Sequence, residues 1–170
     1  MKAIVGVVRW LISVLFLLRR RMGVRHRTCF FSRQASRLTP DFALLQQQLR
    51  KADPTMDIVT ICCRYRGRQD GLLRFLRQCV RSVFLAASAQ VCVLDGYWPT
   101  ICLLRDKRDL RVIQIWHSVG KIKKSGYQTL DKPSGRSGAM ARALCMHRNY
   151  DAIIAGGPAW NPFYCAAFDV

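Results

Sequence analysis

Chemically, the most suggestive stretch of this sequence places one histidine ahead of a knot of lysines: His117, then Gly120, Lys121, Lys123, Lys124 and Gly126. A histidine can take a proton from a hydroxyl near neutral pH, the task of a general base when an alcohol attacks a phosphoryl group. Ammonium groups beside it can hold phosphate oxygens and stabilise charge as it develops. Asp95 closes an earlier β-like run, where a carboxylate could position a hydroxyl or orient His117 from a neighbouring strand. Each of these residues also has a plainer use. The histidine could be satisfied structurally at a strand end, the lysines could form a solvated face, and Asp95 could cap the next turn. Position alone leaves these alternatives open. His147 reads as packing at a helix end, and Trp98 and Trp160 as loop packing.

Such residues act together only if the fold brings their turns together. Strand-like runs occupy 28–32, 57–63, 91–95, 112–116 and 151–155, and helical patterns fall between them. Thr39-Pro40-Asp41 offers a helix start, with Phe42, Leu45 and Leu49 at helical spacing. A longer helical pattern covers 71–89, with Arg74, Arg77 and Arg81 on one face. Residues 137–146 and 162–170 also look helical. Strands alternating with helices predict βαβ units, hence an α/β fold with a Rossmann-like parallel sheet flanked by helices. Ligands of such sheets sit beyond the carboxyl ends of the strands. That rule selects Asp95-Gly96-Tyr97 and Trp116-His117-Ser118, and the extended loop 128–138 is long enough to be functional. Walker-type, G-x-G-x-x-G and G-x-S-x-G signatures are absent.

The chain has 170 residues, with 28 Lys plus Arg against 10 Asp plus Glu, a formal net charge of +18. That excess predicts affinity for a polyanion or an anionic surface. It lacks the helix-turn-helix, zinc or RNA-recognition signature that would make nucleic acid the expected partner. The eight cysteines form no C-x-x-C pair and have no histidine at zinc-finger spacing, so no metal is expected. Several lie in apolar runs and read as buried free thiols, with disulfides the lesser alternative.

Residues 3–18 are almost wholly apolar and end in Arg19, Arg20 and Arg21. As a helix they would reach roughly 24 Å, short of a ~30 Å hydrocarbon core. The arginine cluster in place of a small-residue cleavage site argues against a signal peptide. An in-plane or anchoring helix is expected, with the three arginines on anionic headgroups. An ordinary buried first helix is the alternative. Residues 1–27 are thus assigned to a membrane-associating helix and 28–170 to the Rossmann-like domain.

Residues 93–99 (VLDGYWP), 112–127 (VIQIWHSVGKIKKSGY), 146–151 (MHRNYD) and 166–168 (AAF) together resemble the CDP-glycerol glycerophosphotransferase family. The pattern W-H-x-x-G-x-x-K-K-x-G is present in full from Trp116 to Gly126. The resemblance implies the N-terminal half of a GT-B glycosyltransferase-type fold, working in teichoic-acid-type polymer synthesis at the cytoplasmic face of the cell membrane. It implies a CDP-glycerol or related CDP-alditol donor, a lipid-linked polyanionic acceptor and no further cofactor. His117 takes the place of the family's general base, and Asp95, Gly120, Lys121, Lys123 and Lys124 are expected at the acceptor. The half that would hold the nucleotide is not evident, so a truncated enzyme is expected. The alternative is a non-catalytic module that binds anionic membrane or polymer.

Overall fold

The computed structural model describes residues 2–65, 71–117, 123–133 and 135–170. Five parallel strands form one sheet in the order β2-β1-β3-β4-β5. They are β1 (Arg27–Ser32), β2 (Asp57–Cys62), β3 (Val91–Leu94), β4 (Arg111–Gln114) and β5 (Ala152–Ile153). The expected α/β architecture is therefore the one observed, with strand boundaries shifted by a residue or two.

β1 is buried along its whole length and pairs on both sides, Phe30 opposite Thr60 on β2 and Val93 on β3. A near-continuous apolar run is what a central parallel strand requires. Its alternating side chains divide the core. Cys29 and Phe31 face a large cluster with Phe16, Leu94, Trp98 and Leu110, whereas Phe30 faces Phe42 and Val93 on the other side. α2 (Pro40–Ala52) covers the second face; Thr39 caps it and Pro40 stands at its first turn. The Phe30 and Phe42 rings meet edge-on at 5.0 Å. α3 (Leu72–Ala87) and the short α4 (Pro99–Cys102) lie on the first face.

Trp98, expected in loop packing, is fully buried in the main core. Its indole Nε1 donates to Ser82 Oγ at 2.9 Å, and that oxygen lies 2.8 Å from Thr100 Oγ1. Among the described residues no two cysteines are joined in a disulfide, and burial pushes the thiols of Cys29, Cys79 and Cys102 up to about 12.

α1 (Lys2–Arg21) joins this same core. One of its faces carries Arg9, Ser13, Phe16 and Arg20, spaced four, three and four apart, and every one of them is engaged. Arg9 Nε donates to the Leu103 carbonyl at 3.1 Å, and the Arg105 N–H donates to Ser13 Oγ at 3.0 Å. Phe16 is fully buried. Arg20, expected at an anionic surface beside Arg19 and Arg21, instead turns inward. Its guanidinium donates to the carbonyls of Ala87 and Ala89 and pairs with Asp109 at 2.6 Å. The reason is helical phase, since residue 20 lies one turn below Phe16 on the inward face.

The outward face is apolar: Ile4, Val7, Trp10, Leu11, Leu15 and Leu18 are all exposed. α3 packs beside α1 and exposes Leu73, Leu76, Val80 and Phe84, flanked by the exposed Arg74, Arg77 and Arg81. Among the described residues, no helix is long and apolar enough to cross a membrane.

Candidate active site

The strand order reverses direction between β1 and β3, because the chain goes outward from β1 to β2 and then returns to run through β3, β4 and β5. Such a switch point opens a crevice outside the carboxyl ends of the strands. The residues just beyond those ends are Arg33 after β1, Asp95-Gly96-Tyr97 after β3 and Trp116-His117 after β4. A cavity of about 550 Å³ lies there, with Arg33, Arg64, Tyr97, Trp116, Lys123, Lys124, Arg136 and His147 in its walls.

His117 owes its position to a strained turn. Trp116 sits at φ +61°, a left-handed conformation unusual for so bulky a residue. Its N–H donates to Gln114 Oε1 at 2.9 Å, and the buried Gln114 donates in turn to the Gly96 carbonyl at 3.2 Å. The imidazole packs against the Trp116 ring, with centroids 4.1 Å apart. His117 Nδ1 lies 2.8 Å from the main-chain carbonyl of Asp95. A carbonyl can only accept, so Nδ1 carries a proton in this contact, and in the neutral imidazole Nε2 then keeps its lone pair. An exposed imidazole so oriented has the tautomer a general base needs.

Asp95 orients His117, but through its backbone. The residue, expected among the acceptor-binding groups, is 1% exposed and is not among the cavity's lining residues. The turn after β3 brings the side chain to the end of β1, where Oδ1 accepts from the Arg33 N–H at 3.3 Å and Oδ2 has no hydrogen-bond partner among the described residues. Burial raises the carboxyl above the ordinary carboxylate range, opposed in part by the Ser32 hydroxyl, the Arg33 N–H and His117. A carboxyl with a raised folded pKa contributes stability that is complete below its unfolded pKa and is lost as pH rises through the folded value. Asp95→Asn has no charge to bury. It is therefore expected to gain stability relative to wild type as pH rises from about 4, and to lose that advantage on acidification. Urea midpoints over a pH series check this; a difference between the two proteins that stays constant with pH would count against it.

Lys123 and Lys124, two of the residues expected at the acceptor, are exposed and line the cavity, while Gly120 and Lys121 lie outside the described residues. Gly126, the last glycine of the motif, has a packing role. It sits at φ +56°, and a Cβ there would run into the Ala167 carbonyl of α6 (Asn161–Phe168).

His147 follows α5 (Gly138–Ala143), is 4% exposed, and is ringed by Tyr97, Trp116, Tyr127, Tyr150 and Phe168 with centroids 4.5–6.4 Å away. Its neighbours in the 146–151 block are also structural. Asn149 Nδ2 donates to the carbonyls of Ile101 and Leu104 at 2.9 Å, and Asp151 accepts from the Val112 N–H at 2.7 Å and from Lys107.

Among the described residues, Arg33, Arg64 and Arg136 bring the cations in the cavity wall to five, and no carboxylate lines it. Sequence pattern alone did not single these arginines out. Arg33 was within its reach, because it follows β1 as Asp95 follows β3. Arg136 lies in the 128–138 loop, which was recognised without its arginine. Among the described residues no group of three His, Cys, Asp or Glu side chains could hold a metal ion.

Comparison with known proteins gives a consistent pattern. The family model for CDP-glycerol:poly(glycerophosphate) glycerophosphotransferase matches residues 14–170. A teichoic acid ribitol-phosphate primase of Bacillus spizizenii is 28% identical over 158 residues, covering 91% of this chain and 40% of its own length. The Staphylococcus aureus ribitol-phosphate polymerase TarL is 30% identical over 90 residues, covering 53% of this chain and 15% of its own. A solved structure of the wall teichoic acid polymerase TagF, soaked with CDPG, superposes with a TM-score of 0.61 at 12% identity, over 96% of this chain and 45% of that one. The chain thus spans less than half the length of these relatives.

Proposed function

Because the chain belongs to the CDP-glycerol:poly(glycerophosphate) glycerophosphotransferase family, we propose that it takes part in transferring an alditol phosphate from a CDP-alditol to the terminal hydroxyl of a polyanionic acceptor in teichoic-acid-type synthesis. In this reading it is the acceptor-side half of a GT-B arrangement. The observation that carries the reading is the bond from His117 Nδ1–H to the Asp95 carbonyl, at a cation-lined switch-point cleft. Nε2 takes the proton of the acceptor hydroxyl as its oxygen attacks the phosphorus that bears the alditol. A new P–O bond forms, the pyrophosphate link breaks and CMP leaves. Lys123 and Lys124, with Lys121 by its place in the motif, would offset charge on the transferring group and the acceptor.

The alditol is open between glycerol and ribitol, because relatives of both kinds match. The test supplies labelled CDP-glycerol and CDP-ribitol in turn, with membranes carrying acceptor. It uses both the chain alone and the longest reading frame that contains it. Label incorporated from either donor supports the reading. No incorporation by either form, with both proteins folded, would sink it.

The acceptor is proposed to be lipid-linked and the site of action the cytoplasmic membrane face. The exposed apolar residues of α1 and α3, with the flanking arginines, support that placement, since they suit an interface with anionic headgroups. Burying one leucine contributes about 1.5–3 kcal/mol. Leu73→Glu with Leu76→Glu, both at exposed positions, is therefore expected to cut partition onto phosphatidylglycerol vesicles at least about tenfold without unfolding the protein. Cosedimentation measures it. Undiminished binding by the double variant would place the membrane contact elsewhere.

A further inference from the structure

One tyrosine in the cleft gathers two like charges. The Arg33 guanidinium lies over the Tyr97 ring at 5.7 Å from its centroid, and the Arg136 guanidinium at 5.5 Å. Tyr97 is itself 8% exposed and fixed by its hydroxyl, which donates to the Leu144 carbonyl at 2.9 Å. Arg33 is held further by Nη1 donating to the Tyr97 carbonyl at 3.1 Å and by the Phe75 ring at 5.4 Å. Neither guanidinium has a carboxylate partner among the described residues, and Arg33 Nε is buried without a hydrogen-bond partner. Burial, and then the nearby Arg136, weigh against the charged form of Arg33. An arginine nevertheless stays protonated, so the two charges repel, and among the described residues no carboxylate offsets that. Planar donors gathered on one ring, with no carboxylate partner among the described residues, suit a tetrahedral oxyanion, which arginine pairs bind through several charged hydrogen bonds.

We propose that Arg33 and Arg136, mounted on Tyr97, form a phosphate subsite that holds the phosphodiester nearest the acceptor's reacting end. The identity of the polymer rests on the transfer reading above; the anion site itself does not. Its location supports the assignment. Arg33 is bonded to the carbonyl of Tyr97 and His117 to the carbonyl of Asp95, two residues earlier on the same turn. Those anchors lie within about 7 Å of each other. A phosphate held at one would set the neighbouring hydroxyl close to the other, and a polymer would be gripped by its last repeat.

The test is calorimetric titration at constant ionic strength with three probes: inorganic phosphate, a synthetic glycerol phosphate trimer joined by diesters, and CDP-glycerol. The proteins are wild type, Arg33→Gln, Arg136→Gln, Arg136→Lys and, as a control away from the cleft, Arg50→Gln. Loss of charged hydrogen bonds predicts that Arg33→Gln and Arg136→Gln each bind the trimer about tenfold more weakly or worse. Arg136→Lys should fall in between, because it keeps charge and loses the fork. Arg50→Gln should stay within about twofold of wild type. Thermal unfolding confirms that each variant is folded, and Arg136→Gln carries the test if Arg33→Gln is not. Unchanged trimer affinity in the folded glutamine variants overturns the subsite. So does an equal loss in Arg50→Gln, which would mean general charge attraction, or a loss confined to CDP-glycerol, which would make it a donor site. None of these readouts requires turnover, so failed transfer would sink the functional reading without deciding this one.

Discussion

Replacing His117 with alanine is expected to slow alditol phosphate transfer by about 10²–10⁴-fold, the usual contribution of a positioned general base. The imidazole is exposed and makes one hydrogen bond to a main-chain carbonyl, so its loss should leave the unfolding midpoint nearly unchanged. His117→Asn sharpens the test. The asparagine amide can occupy the place of Nδ1 and still donate to the Asp95 carbonyl, yet it has nothing to put in the place of Nε2. If proton removal is what His117 supplies, the asparagine variant should be as slow as the alanine variant. If orientation of the turn is what matters, asparagine should restore activity. Transfer rates within tenfold of wild type in both variants would remove His117 from the chemistry.

Phe16→Ala carries the second large effect, about 3–5 kcal/mol of lost stability with no lipid present. A helix that merely lay on a membrane would contribute nothing to unfolding in plain buffer. Here the Phe16 ring is fully buried among Phe31, Leu94, Trp98 and Leu110, and Arg20 lies over it at 5.6 Å. Removing it leaves a cavity at the joint between helix and sheet. Leu15→Ala, one position away on the exposed face, should cost less than about 0.5 kcal/mol. Paired urea titrations of the two variants decide the matter; equal midpoints would show that α1 is not part of the cooperative core.

The strands were legible in the sequence because each is a short apolar run closed by a turn, and burial in a parallel sheet leaves that mark in composition. β1 and β3 are the clearest cases. His117 was legible for the same reason, as a polar residue just past such a run. The cause of its orientation was not. It depends on Trp116 adopting a left-handed turn and on a carbonyl from another strand, and neither is visible as a local pattern. Asp95 was legible in part: residue type suggested a carboxylate at work, and only the structure shows its Oδ1 turned to the Arg33 N–H at the end of β1. The arginine pair escaped because its members stand more than a hundred residues apart and meet only on Tyr97.

α1 misled in an instructive way. An apolar helix ending in arginines predicts that the charged end meets headgroups and the apolar side meets either lipid or core. The structure divides these roles differently, since Arg9, Ser13 and Arg20 share the inward face with Phe16. Helical phase decides this, and it becomes readable only once the partners at Leu103, Arg105 and Asp109 are in place.

That four-point attachment makes the helix a bracket. Arg9, Ser13, Phe16 and Arg20 fasten it at separate heights along the domain, so it cannot pivot without breaking bonds at both ends. Whatever surface receives its outer side therefore receives the whole sheet in one fixed attitude, with His117 at a set elevation and tilt. Under the membrane reading, that elevation would act as a ruler. Acceptor ends that project from the surface by the matching length would meet the imidazole, and shorter or longer ones would have to bend to reach it.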